Sequence, residues 1–126
     1  AWPEGLKAVR GLGRFVQGCG LERSLIELVK TRASQINGCA FCLYMHTADA
    51  RAAGETEERL YLLSAWRESP LYTPRERAAL AWTEALTLIS ETAAPDEDYD
   101  RLAAEFTEKE RVDLSLLVGA INVWNR

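Results

Sequence analysis

The chain has 126 residues, 48% of them hydrophobic, with 15 Lys and Arg against 19 Asp and Glu for a net charge of −4. That length suits one domain around one core, spanning 1–126, and the interleaved, slightly acidic charge offers no basic field to a nucleic acid. No apolar run approaches the ~20 residues of a membrane span, and Ala1-Trp2-Pro3-Glu4 lacks the basic start and apolar stretch of a signal peptide, so the chain reads as soluble and cytoplasmic.

Helix signals run almost throughout and no strand pattern stands out, so the expected fold is all-α, with about seven helices. Pro3 to about Val16 carries Leu6, Val9, Leu12 and Phe15 or Val16 at helical spacing, weakened by Gly11 and Gly13 by about 1 kcal/mol each relative to alanine. Gly18, Cys19 and Gly20 end it, and Cys19 reads as a small buried hydrophobe. From Glu22 to Ile36 the stripe of Leu25, Ile26, Leu28, Val29, Ala33 and Ile36 predicts a second helix, stopped by Asn37-Gly38. A third should run from about Cys39 to Ala53, broken by Gly54, and Thr56 should cap a short fourth bearing Leu60, Leu62 and Leu63. Trp66 and Tyr72 flank a turn at Ser69-Pro70. In Thr73-Pro74-Arg75-Glu76 the threonine caps, the proline takes the first helical position and the glutamate closes a capping box, which predicts a long helix to about Ile89. Ser90 to Pro95 reads as a loop. An acidic stretch from Asp96 to Asp100 opens a helix with Leu102, Ala103 and Phe106, and Thr107 with Glu110 repeats the capping box for a last helix through Val112, Leu116, Ile121 and Val123. Trp66, Trp82 and Trp124 lie on apolar faces and read as core or subunit interface, with Trp2 as a terminal anchor. The chain opens without methionine and its last helical pattern has no stop signal, so both ends read as incomplete.

Chemistry concentrates in NGCAFCLYMHTA, from Asn37 to Ala48, where a C-x-x-C pair precedes the chain's single histidine. On a helix, Cys39, Cys42 and His46 stand at i, i+3 and i+7 and share one face. In a reducing compartment such a pair reads as a redox dithiol or as metal ligands. The metal alternative is a zinc module of Cys39, Cys42 and His46 with Cys19 or Glu27 as fourth ligand; three ligands strung along one straight helix close a tetrahedron poorly. For a dithiol, the helix dipole favours a thiolate at Cys39, whereas His46, one turn beyond Cys42, is better placed to take that cysteine's proton. Periodicity alone makes Glu27 a solvated residue paired with Arg23 or Lys30, because it lies opposite the apolar stripe. Its spacing to the cysteines argues instead for a proton relay on a second buried face, which a strongly raised pKa would mark. Asn122, Asn125 and Arg126 are candidates for the pocket or for an interface.

Glu27, Cys39, Cys42 and His46 together form E-x11-C-x-x-C-x-x-x-H within IELVKTRASQINGCAFCLYMHTADARAAGETEERL. This pattern resembles the alkylhydroperoxidase AhpD-like group of the carboxymuconolactone decarboxylase superfamily, as do ERAALAWTEALT and the terminal INVWNR; the superfamily's decarboxylases do not share the cysteine pair. The resemblance implies an all-α domain assembled as a homo-oligomer, often a trimer or hexamer. It also implies a thiol peroxidase or disulfide reductase activity that needs no cofactor. Carried over residue by residue, Cys42 would attack a hydroperoxide, Cys39 would resolve the sulfenic acid into a disulfide, and Glu27 and His46 would relay the activating proton. The reductant would be a lipoyl protein, a thioredoxin-like protein or a small thiol. Many members have a histidine between the cysteines, where this chain has Phe41. With Tyr44 and Trp66, Phe41 suggests an organic hydroperoxide over hydrogen peroxide. The remaining alternative is a helical protein that senses redox state or exchanges disulfides without substantial peroxide turnover.

Overall fold

The computed structural model describes residues 2–126, with side chains from Pro3 onward, so that the Trp2 side chain lies outside the described residues. The helices are α1 (Trp2–Gln17), α2 (Arg23–Asn37), α3 (Ala40–Ala52), α4 (Glu57–Leu62), α5 (Pro74–Thr87), α6 (Ile89–Thr92), α7 (Asp96–Glu105) and α8 (Glu108–Asn125), with a 3₁₀ segment at Leu63–Glu68. Strands are absent among the described residues, and no helix there is long and apolar enough to cross a membrane.

Helix α2 is the hub. It packs against α3, α5 and α8, while α1 lies on α8 and α7 on α5. Its stripe of Leu25, Ile26 and Val29 enters a core completed by Val16, Trp82, Leu102, Phe106, Leu114 and Leu117. Leu28 turns to a smaller cluster with Leu63, Trp66, Tyr72 and Leu80. A side chain of this kind stabilises by about 1.5–3 kcal/mol when fully buried, so α2 is held on several sides at once. Both capping boxes form: the Thr73 and Thr107 hydroxyls accept from the Glu76 and Glu110 amides, and those carboxylates accept from the threonine amides. Each cap is worth about 1 kcal/mol and fixes where α5 and α8 begin.

The expected loop at Ser90 to Pro95 begins with the helical turn α6, which brings the α-helices to eight among the described residues rather than seven. The Thr92 hydroxyl donates to the Ala85 carbonyl (2.7 Å) and accepts from the Ala94 amide (3.1 Å), so one side chain satisfies backbone groups that a loop would leave to water. The turn ends with Ala93 and Ala94 at φ 55° and 48°, a left-handed conformation unusual without glycine and invisible to a pattern search. Trp66 lies in the 3₁₀ segment, and the expected turn follows it, at Pro70 and Leu71. Trp66 is core, its indole donating to Glu84 (2.9 Å), and Trp82 is core too.

Candidate active site

The α2–α3 junction positions the dithiol. Gly38 ends α2 at φ +69°, a left-handed position that costs a side chain strain, and the chain turns directly into α3. Cys39 is the N-cap of α3 and its sulfur accepts from the Cys42 amide (3.3 Å). The two cysteines are joined as a disulfide, with Cα atoms 5.3 Å apart. They differ in environment: Cys39 is partly exposed, whereas Cys42 is 5% exposed and faces inward.

One turn further along α3, His46 is buried against Glu27, its Nδ1 3.3 Å from Glu27 Oε2. Glu27 is only 2% exposed, so the solvated alternative is excluded. α3 itself covers the second face of α2. Lys30 does approach the carboxylate, with Nζ 3.9 Å from Oε1, and also donates to the Gln17 side chain (2.8 Å). The expectation of a strongly raised Glu27 pKa is wrong in sign. Burial pushes the carboxyl up, but the His46 hydrogen bond and the Lys30 charge outweigh it and hold it below the ordinary glutamate value. Glu27 is therefore an ionised anchor at neutral pH. Holding Nδ1–H of the imidazole, it leaves Nε2 as the nitrogen that can exchange a proton elsewhere.

Cys42 and His46 open into one cavity of about 300 Å³, walled by Phe41 and Met45 from α3, Val16 from α1, Ile121 and Trp124 from α8, and Lys30 from α2. Its lining is almost wholly apolar, the setting in which a hydrocarbon body is held by burial and a few polar groups fix the reacting end. All four residues of the sequence motif thus come together. Of the three aromatics expected to favour an organic substrate, only Phe41 is at the cavity: Tyr44 faces a different surface cleft beside Tyr61, and Trp66 is in the core. Of the two expectations for Trp124, core or subunit interface, the core one fails: the side chain is a cavity wall, 44% exposed.

Sequence reasoning missed Asp49, whose Oδ2 lies 3.9 Å from His46 Nδ1, and it undervalued Lys30. Helical spacing was the available signal, since each stands three residues beyond a motif member. The zinc arrangement is not assembled. Cys19 packs against the main core, and the ligand atoms that gather within 4.8 Å of one another belong to Glu27, His46 and Asp49, with no cysteine among them. Lys30 crowds that group with a positive charge, which suits a carboxylate anchor better than a cation site.

An all-helical bundle that presents a disulfide at a helix start, over a buried Glu–His pair and an apolar cavity, defines a dithiol-bearing helical protein. The pattern of the carboxymuconolactone decarboxylase family matches residues 3–85, and the chain belongs to that family. It is 47% identical over 124 residues to the uncharacterized protein YdfG of Bacillus subtilis (strain 168), a match covering 98% of this chain and 84% of that protein. It is 31% identical over 96 residues to the uncharacterized protein YnjA of Escherichia coli (strain K12), covering 76% of this chain and about half (52%) of YnjA. A crystal structure from Agrobacterium tumefaciens superposes with a TM-score of 0.95 at 51% identity, covering 98% of this chain and 85% of that one. That protein is described as of unknown function and as a candidate antioxidant defence protein AhpD. The fold is accordingly AhpD-like.

Proposed function

We propose that the protein is a thiol-dependent reductase of alkyl hydroperoxides, working through a dithiol–disulfide cycle. The observation that carries this reading is the burial of Cys42 in an apolar cavity with His46, backed by Glu27. In the reduced protein, His46 takes the Cys42 proton and the thiolate attacks the terminal peroxide oxygen. The O–O bond breaks, an S–O bond forms, and the alkoxide leaves as alcohol with the proton that His46 returns. Cys39 then attacks the Cys42 sulfenic acid, releasing water and forming the disulfide before over-oxidation. A dithiol or two monothiols, entering at the partly exposed Cys39, restore the pair and leave as disulfide.

The test is one equivalent of cumene hydroperoxide added to the reduced protein, followed by intact mass and disulfide mapping. Rapid loss of two hydrogens, localised to Cys39–Cys42 and faster than with hydrogen peroxide, is the expected result. A protein that stays reduced would refute the assignment. A second reading, disulfide exchange without peroxide turnover, draws on the exposure of Cys39 alone, and the same experiment separates the two.

The apolar residues at and near the cavity mouth, Phe41 (72% exposed), Met45 and Trp124, with Phe15 and Val123 nearby in sequence, also support assembly of copies of this chain into a trimer or hexamer. Sedimentation should give that mass, and Phe41→Glu should lower it; a wild-type monomer at micromolar concentration would exclude it.

A further inference from the structure

Just before the dithiol in the chain, a continuous side-chain network joins α2, α5 and α8 that the peroxidase chemistry does not use. Asn37, the last residue of α2, donates from Nδ2 to Asn122 Oδ1 (2.9 Å) and to Asn125 Oδ1 (3.0 Å), both in the last turns of α8. Asn125 Nδ2 donates in turn to the Ser34 hydroxyl (3.0 Å). Asn122 Nδ2 reaches the Thr87 hydroxyl at the end of α5 (3.1 Å) and the Val118 carbonyl (2.9 Å). The ends of three helices are thereby tied to one another.

The same residues adjoin the redox turn. Ser34 accepts from the Cys39 amide through its backbone carbonyl (3.1 Å) while its hydroxyl is held by Asn125 and donates to the Lys30 carbonyl (2.7 Å). Only Gly38 separates Asn37 from Cys39, and glycine by itself holds a turn loosely. The turn is fixed by α8 from one side and by its own amide bond to Ser34 from the other. The polar face of the α8 terminus grips the turn, while Ile121 and Trp124 from the same turns wall the cavity.

We infer that Asn37, Asn122 and Asn125 are positioning residues that preorganise the Cys39–Cys42 turn for disulfide closure and so set how readily the disulfide is reduced. The inference rests on the dithiol cycle proposed above, but not on which peroxide it serves. A turn held in the closed geometry loses little conformational freedom when the S–S bond forms. A turn released from α8 must be ordered at that moment, which favours the open dithiol. The two sulfurs of the reduced form would also meet less often, leaving the Cys42 sulfenic acid exposed to a second oxidation.

The experiment is a dithiothreitol redox titration of the full chain, read by alkylation of free thiols. It compares wild type, Asn125→Ala, Asn37→Ala and, as control, Ser115→Ala. The control removes two hydrogen bonds on the same helix, one accepted from the Trp82 indole (3.0 Å) and one donated to the Arg111 carbonyl (2.8 Å), and neither involves the turn. Asn37→Ala should shift the thiol–disulfide equilibrium toward the dithiol by about tenfold, a rise of roughly 30 mV. Asn125→Ala, which leaves Asn122 on Asn37 and threatens folding least, should move it the same way by a smaller factor, and Ser115→Ala should not move it. Equal midpoints in wild type and Asn125→Ala, or an equal shift in Ser115→Ala, would overturn the inference while leaving the dithiol cycle intact. A wild-type pair that never equilibrates with dithiothreitol would overturn both.

Discussion

Cys42→Ser is expected to abolish reduction of cumene hydroperoxide, lowering the rate by roughly three orders of magnitude or more, because the thiolate proposed to open the O–O bond is gone. Cys39→Ser should behave differently. Its first equivalent of peroxide should be consumed at nearly the wild-type rate, after which Cys42 remains as a sulfenic acid that dimedone traps and excess peroxide over-oxidises. Single-turnover kinetics with mass spectrometry distinguishes the two. The asymmetry follows from position: Cys42 lines the cavity with His46, whereas Cys39 caps the helix at its partly exposed start. The opposite pattern, with the first turnover lost in Cys39→Ser and kept in Cys42→Ser, would mean that the helix dipole outweighs the histidine in choosing the thiolate, and the roles would be exchanged.

The second large effect should come from Glu27→Gln. The substitution keeps the shape and an oxygen to accept from His46 Nδ1, but removes the carboxylate charge 3.3 Å from that nitrogen. Peroxide reduction should fall by about 10²-fold, within the ~10²–10⁴ range that general acid–base groups contribute. The variant also tests the ionisation of this buried carboxyl. Glu27 has a depressed pKa in the folded chain, so the unfolded chain binds more protons in the acid range. The ion contributes its full stabilisation above the ordinary glutamate value of 4.5, and that contribution is lost as pH falls through the lower folded value. The gap in melting temperature between wild type and Glu27→Gln should therefore be constant from neutral pH to about pH 5 and narrow below it. A gap that instead closes above pH 6 would show that burial wins over His46 and Lys30.

The elements on which the function is read were legible locally. The capping boxes at Thr73 and Thr107, the stop at Asn37-Gly38 and the apolar stripe of α2 act within a few residues, where geometry and hydrogen bonding are set by neighbours in the chain. The register of Cys39, Cys42 and His46 belongs to one helix, and its face was readable for the same reason. Features that depend on what lies opposite were not. Glu27 looks solvated on its own helix, and only the packing of α3 over it makes it a buried partner of His46. Its pKa is shifted down rather than up because His46 and Lys30 face the buried carboxyl at once, and their combined pull exceeds the cost of burial. Trp66 and Trp124 are both aromatic residues on apolar faces, yet one is core and the other a cavity wall, since exposure depends on the neighbouring helices.

The sequence by itself determined an all-helical chain, with a dithiol and a histidine aligned on one helix, because helix signals, caps and register are short-range. Only the tertiary structure decided that Glu27 completes the pair, that α1 and α8 wall the cavity and that three asparagines hold the redox turn. These contacts join residues far apart in the chain, 19 positions for Glu27 and His46 and 91 for Ser34 and Asn125, and their energies are fixed by packing that no local pattern encodes.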